Sequence, residues 1–331
     1  MILHPAVIAN VVASLVITLT IVYAAYHGVQ ILRKWDLQSG NELQLILERK
    51  TYLISTMLTF VFALELMSLF LYVFTANNLC PLFVGAMCAA GTLNVNAFGY
   101  PTLLLKIVNF LFAGLWLILN YADNQAYDYP LIKKKYVLLA LIAPLSIVET
   151  SLQGAFFLNM KANVITSCCG SLFSSEQVKG LGSDLAALPI IPMMWIFYFG
   201  MGATLLLGLY FYLKGKGGYL YSAFTLVMFG VSLVAIISFI SVYIYELPTH
   251  HCPFCIVMED YGYIGYALYH PLFGAVVTGT GIGALMPFRG VESLREVIPA
   301  LVRRLTLTSL SLYAVFTMIV IYKIAASNLV L

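Results

Sequence analysis

The residues in this chain best suited to chemistry lie together in Thr249-His250-His251-Cys252-Pro253-Phe254-Cys255. Two thiols separated by two residues can close a small disulfide ring and reopen it, and the thiolate is the form that attacks. Pro253 fits the first position of a helix, where a missing N–H costs nothing. The spacing therefore predicts a helix starting there, with its N-terminal end stabilising a thiolate. His250 and His251 can supply positive charge or a proton. Downstream stand Met258, Glu259 and Asp260. With His250, His251, Cys252, Cys255 and Met87, Met258 offers soft donors for Cu(I) or Zn, although the spacing matches no standard structural zinc pattern.

Four further cysteines complete an even set: Cys80, Cys88, Cys168 and Cys169. All six fall in connections between apolar runs, Cys80 and Cys88 in 77–100, Cys168 and Cys169 in 160–186, Cys252 and Cys255 in 247–257. An even count in an oxidising compartment suggests disulfides, whose pairing the spacing leaves open. They either staple these connections or form thiol pairs that exchange with Cys252 and Cys255. The 77–100 connection is apolar and glycine-rich, and is expected to fold back against the membrane instead of entering water.

The elements that must hold these groups are membrane helices. The 331 residues are 62% hydrophobic and 9% charged, against about 25% charged in a soluble domain. Apolar runs long enough to cross a bilayer recur near 6–32, 51–76, 101–121, 136–159, 187–213, 219–246, 258–286 and 305–326. The expected fold is an all-α polytopic membrane protein, one helical domain over 1–331 with eight transmembrane helices. Basic residues collect in alternate connections: Arg33, Lys34, Arg49 and Lys50; Lys133, Lys134 and Lys135; Lys214 and Lys216; Arg289, Arg295, Arg303 and Arg304. By the positive-inside rule these connections are cytoplasmic and both termini lie outside, with the cysteines. The segment 290–304 reads as an amphipathic helix on the cytoplasmic surface. Gly279, Gly281 and Gly283 lack the strand–turn–helix setting of a nucleotide loop and predict close helix packing. No basic stripe with stacking aromatics is present, so nucleic acid is not an expected partner. Met1-Ile2-Leu3-His4-Pro5 lacks a basic n-region and a small-residue cleavage pattern, so no cleaved signal peptide is expected.

Inside the spans, Glu65, Glu149 and His270 lie about 17 Å from the outer ends at 1.5 Å per residue, with Lys106 on the third span. Ionisable groups at that depth usually face a bundle interior. They form either a proton relay or a buried polar cluster that fixes helix register.

A Cys-x-x-Cys at the outer end of a membrane helix, with further cysteines in outer loops, resembles the DsbB/VKOR class of membrane thiol oxidoreductases. That resemblance covers the motif and its topology; eight spans depart from the class's four or five. It implies Cys252 and Cys255 as the cofactor-proximal pair, and Cys80/Cys88 or Cys168/Cys169 as the shuttle pair. It also implies electron transfer to a membrane quinone and an extracytoplasmic thioredoxin-like partner. A bacterial inner membrane with periplasmic cysteine loops is the expected location. The alternatives are a copper or other soft-metal handling protein served by a metal carrier, and a non-catalytic, disulfide-stapled membrane subunit.

Overall fold

The computed structural model describes residues 3–36, 41–161, 164–166 and 188–329. Among these residues there is no strand. Eight helices are long and apolar enough to cross a membrane, and the chain is an integral, multi-pass membrane protein. The spanning helices are α1 (Pro5–Lys34), α2 (Glu42–Leu79), α4 (Gly99–Asn124), α5 (Ile132–Leu158), α6 (Ile190–Lys214), α7 (Gly218–Tyr245), α8 (Ile264–Leu285) and α9 (Val297–Ala326). A short helix, α3 (Ala89–Leu93), lies between α2 and α4. Each expected apolar run falls within or overlaps one of these spans. Cys168 and Cys169, with most of the 160–186 connection, lie outside the described residues.

Local chemistry explains the helix ends. The His4 ring caps α1, its Nδ1 accepting from the Ala6 N–H at 3.3 Å, and Pro5 opens the helix without losing a bond. Arg33 and Lys34 close it, where the helix dipole favours cations. Gly215 ends α6 in the left-handed conformation at φ +67°, a position where a Cβ is penalised.

The stretch 1–331, expected as one domain, divides into two compact units. The first comprises Met1–Thr75, Asn96–Met160 and Pro287–Leu301. In it α5 packs against both α1 and α4. Apolar side chains in lipid gain little from burial as such, so close fit and internal polar bonds hold such helices together. One end is tied by Asn10 Nδ2 to Thr75 Oγ1 at 2.5 Å, Gln153 Nε2 to the Asn10 carbonyl at 3.1 Å and the Tyr72 hydroxyl to the Gly99 carbonyl at 3.1 Å. The other end is tied by a buried ion pair, Lys135 Nζ to Asp123 Oδ2 at 2.8 Å. Lys135 also donates to Asn120 Oδ1 and Ser55 Oγ, and Asp123 Oδ1 accepts from the Leu131 N–H at 2.7 Å. Lys135 is therefore not one of the orienting surface charges: it is fully buried and neutralised, whereas Lys133 and Lys134 are exposed.

The second unit comprises Ala76–Val95, Lys161–Met286 and Val302–Leu331. Here α7 packs against α6 and α8. The glycine run in α8 is a packing surface, as its sequence predicts. A Cβ on Gly279 would stand 2.5 Å from Thr225 Cγ2, and one on Gly283 would collide with Ser222 Oγ. Tyr221 donates to Ser309 Oγ at 2.9 Å and Tyr313 to the Thr225 carbonyl at 2.7 Å, binding α7 to α9.

Two expected elements differ. Segment 290–304 is not a separate surface helix: a 3-10 turn at Glu292–Leu294 leads into the first turns of α9. Its two-faced pattern is real, with Leu294, Ile298 and Val302 buried and Arg295, Glu296, Arg303 and Arg304 exposed. The seventh span starts at Ile264, not 258. The intervening residues hold the exposed pair Glu259 and Asp260 in a 3-10 turn, then Gly262 and Tyr263 at positive φ, which break helical continuity.

Candidate functional site: a buried three-cysteine centre

Cys252 and Cys255 do not sit at the start of a long helix. Pro253 and Phe254 form a turn, and only a three-residue 3-10 turn follows at Cys255–Val257. The helix-end stabilisation expected from Pro253 is therefore absent. A turn this short has almost no aligned dipole. The arm is instead clamped by its carbonyls: the Tyr245 hydroxyl donates to the Cys252 carbonyl at 2.5 Å, and the Tyr269 hydroxyl to the Pro253 carbonyl at 2.7 Å. The Phe254 N–H donates to the Cys252 sulfur at 3.5 Å.

The third sulfur comes from 77–100. Cys80 opens a 3-10 turn, Cys80–Leu82, and Cys88 is the residue before α3. The whole of α3 is buried within the protein, whereas Leu82, Val84 and Met87 of the same connection are exposed. Gly85 makes the fold possible at φ +87°, where a Cβ would collide with the Thr166 carbonyl. The Thr166 N–H in turn donates to the Val84 carbonyl at 3.0 Å.

The outcome is that Cys88 Sγ lies 3.6 Å from Cys252 Sγ, and the sulfurs of Cys88, Cys252 and Cys255 all lie within 4.8 Å of one another. All three side chains are buried, Cys255 least completely at 5% exposure. Cys80 is buried too, but is not one of the trio.

The histidines take supporting positions. His251 Nδ1 lies 3.1 Å from the Ile237 carbonyl, inside a π-helical turn of α7 at Ile236–Ile240. Such turns widen the helix and often mark functional sites. That contact requires the proton on Nδ1 and leaves Nε2 with its lone pair in the neutral ring. The His250 ring packs edge-on against Tyr245 at 4.4 Å, its Nε2 buried without a hydrogen-bond partner among the described residues. Neither imidazole joins the compact group, so of the expected ligands His250, His251, Cys252 and Cys255 the two cysteines belong to it, joined by Cys88. Met258 is half-buried, its carbonyl accepting from the Tyr263 N–H at 3.1 Å.

Of the intramembrane groups, Glu65, Glu149 and Lys106 are buried in the first unit. His270 belongs to the second unit, is exposed, and places Nδ1 2.7 Å from the Tyr266 carbonyl of its own helix. It is not part of the buried ionisable cluster that the depth count predicts.

Sequence reasoning missed Tyr245, Tyr269 and Gly265. A Cβ on Gly265 would stand 2.6 Å from Val257 Cγ1 and 3.0 Å from the Ile256 carbonyl carbon. Gly265→Ala is expected to push Ile256 and the adjacent Cys255 outward. The measurement is the alkylation rate of Cys255 in native membranes under reducing conditions, which should rise several-fold while the amount of inserted protein stays constant.

No family model, curated protein or solved structure matches the chain.

Proposed function

We propose that this membrane protein carries out thiol–disulfide exchange at its three-cysteine centre. The observation that carries the proposal is the 3.6 Å approach of Cys88 Sγ to Cys252 Sγ, with Cys255 in the same group. Cys252 is then the shared sulfur. Starting from a Cys252–Cys255 disulfide, the Cys88 thiolate attacks Cys252 Sγ. The Cys88–Cys252 bond forms, the Cys252–Cys255 bond breaks, and the electron pair leaves on the Cys255 sulfur. This step needs no external oxidant and a displacement of about 1.5 Å, taking a disulfide as about 2.05 Å. Reoxidation of a dithiol delivers two electrons and two protons to an acceptor, a membrane quinone or the disulfide of a thioredoxin-like protein. The distribution of basic residues supports a centre on the extracytoplasmic side, the periplasm of a bacterial inner membrane, with both termini there.

A soft-metal reading has its own support in the spacing. Three sulfurs held about 2.3 Å from one ion stand about 3.8 Å apart, close to the observed contact. Cu(I) or Zn fits this donor set.

One experiment separates the two. Membranes are quenched with acid, alkylated without reductant, digested, and searched for disulfide-linked peptides. Exchange predicts Cys252 linked to Cys255 in one population and to Cys88 in another. Finding neither link, with the thiols alkylated only after a chelator is added, would reject exchange in favour of metal.

A further inference from the structure

The first unit contains a second centre with no part in sulfur chemistry. Glu149 is 3% exposed in its side chain and receives donors on both oxygens: Lys106 Nζ on Oε1 at 2.6 Å, and Asn109 Nδ2 on Oε2 at 2.5 Å. Lys106 also donates to Ser68 Oγ at 2.6 Å, and its ammonium lies 5.6 Å from the centre of the Tyr72 ring. Glu65 is 4% exposed, and the charged groups that act on its carboxyl are Glu149 and Lys106.

Charge counting decides the protonation. Two ionised carboxyls against one ammonium would leave an uncompensated buried charge, whereas one shared proton makes the cluster neutral. Glu149, with an ammonium and an amide on its oxygens, is the carboxylate, so Glu65 holds the proton. A separate observation points to exchange at this place. Asn109 is fully buried, and its Oδ1 has no hydrogen-bond partner among the described residues, although its amide is aimed into the site. That is an acceptor suited to a proton-carrying water.

The surroundings are asymmetric. Toward Asn10 the buried groups stay polar: Gln153 follows Glu149 by one turn and accepts from Ser14 Oγ at 3.0 Å, and Asn10 joins Thr75 beyond it. In the other direction the buried side chains turn apolar beyond Ser146 of α5. Leu58, Phe62, Trp116, Leu139 and Ile142 are each fully buried in one core cluster that also includes Ile21 of α1. Along α4 this layer separates Asn109 from Asn120, eleven residues or about 16 Å. No titratable side chain of α1 faces the cluster from its buried stretch Asn10–Ala24. The charged groups that act on Glu65 are Glu149 of α5 and Lys106 of α4, and the Tyr72 ring lies beside Lys106.

We infer that Glu65, backed by Glu149 and Lys106, is a single-proton binding site that exchanges protons with the Asn10 end of the first unit and is sealed from the Asp123–Lys135 end. It is a one-sided proton site, not a conducting wire. Alternate exposure of such a site would couple protons to a transported solute or to redox chemistry.

The test uses the full chain in lipid vesicles, sorted to one orientation by an N-terminal tag, which marks the Asn10 end. Infrared difference spectra between two pH values should show one protonated-carboxyl band that disappears on deprotonation and is missing in Glu65→Gln. A pH jump on the tagged face should drive the change, and a jump on the opposite face should not. In Trp116→Ala, which opens the apolar layer, the opposite face should gain access. A band that survives Glu65→Gln, the absence of any titrating band in the unaltered protein, or equal response from both faces would overturn the inference. So would a titration displaced by sodium at constant ionic strength, which would mark a metal-cation site.

Discussion

Lys106→Met is expected to destabilise the protein by about 3–5 kcal/mol, the usual cost of stranding one partner of a buried ion pair. Among the described residues Lys106 is the one cation paired with the Glu149 carboxylate, and both side chains are almost completely buried. The substituted chain keeps the length of the stem but leaves Asn109 Nδ2 as the remaining donor to Glu149 among the described residues. Reversing the charge imbalance should reverse the loss. The double variant Lys106→Met/Glu149→Leu removes both charges and is expected to recover most of the stability, giving a coupling energy of the same order. Unfolding in mixed detergent micelles measures all three proteins. The single variant should also be more stable at lower pH, where a second proton can neutralise the orphaned carboxylate. A loss below about 1 kcal/mol would mean that the pair is hydrated, not buried.

The second large effect concerns Cys252. In the proposed exchange Cys252 is the sulfur common to both disulfides, so Cys252→Ser is expected to reduce exchange with a small dithiol to the uncatalysed rate. Cys88→Ser and Cys255→Ser should behave differently from it and from each other. Without Cys88 the Cys252–Cys255 disulfide can form but cannot be resolved internally, so a single turnover survives and steady-state exchange fails. Without Cys255 the Cys88–Cys252 bond should accumulate as a stable species. Quenched-flow alkylation followed by mass spectrometry reads each of these states. Equal and partial losses in all three variants would contradict a shared central sulfur.

Much of the architecture is legible in the composition because lipid imposes a coarse rule: a spanning helix needs a long apolar run, and the chain has eight. The glycines of α8 are equally legible, since small residues in a spanning helix predict close approach. What fails is whatever depends on distant pairing. Cys88 and Cys252 are 164 residues apart, and nothing in the spacing favours Cys88 over Cys80. Lys135 reads as a surface charge beside Lys133 and Lys134, because only the fold shows that Asp123 turns to meet it. Pro253 suggests a helix start on local grounds. Two tyrosine hydroxyls and a left-handed turn at Gly262 and Tyr263 impose a different path. Depth along a helix placed Glu65, Glu149 and His270 together, but depth says nothing about azimuth, and His270 points outward.

The π-helical turn at Ile236–Ile240 also sets the aim of the residues beyond it. One extra residue in a turn rotates everything downstream by about 100° relative to an uninterrupted helix. Tyr245, five residues past this insertion, owes its heading toward the Cys252 carbonyl to that offset. Removing a single residue from the turn would make α7 a more regular helix while swinging the phenol away from the strap it secures. An irregularity within a span thus sets the position of the cysteine-bearing strap at its tip.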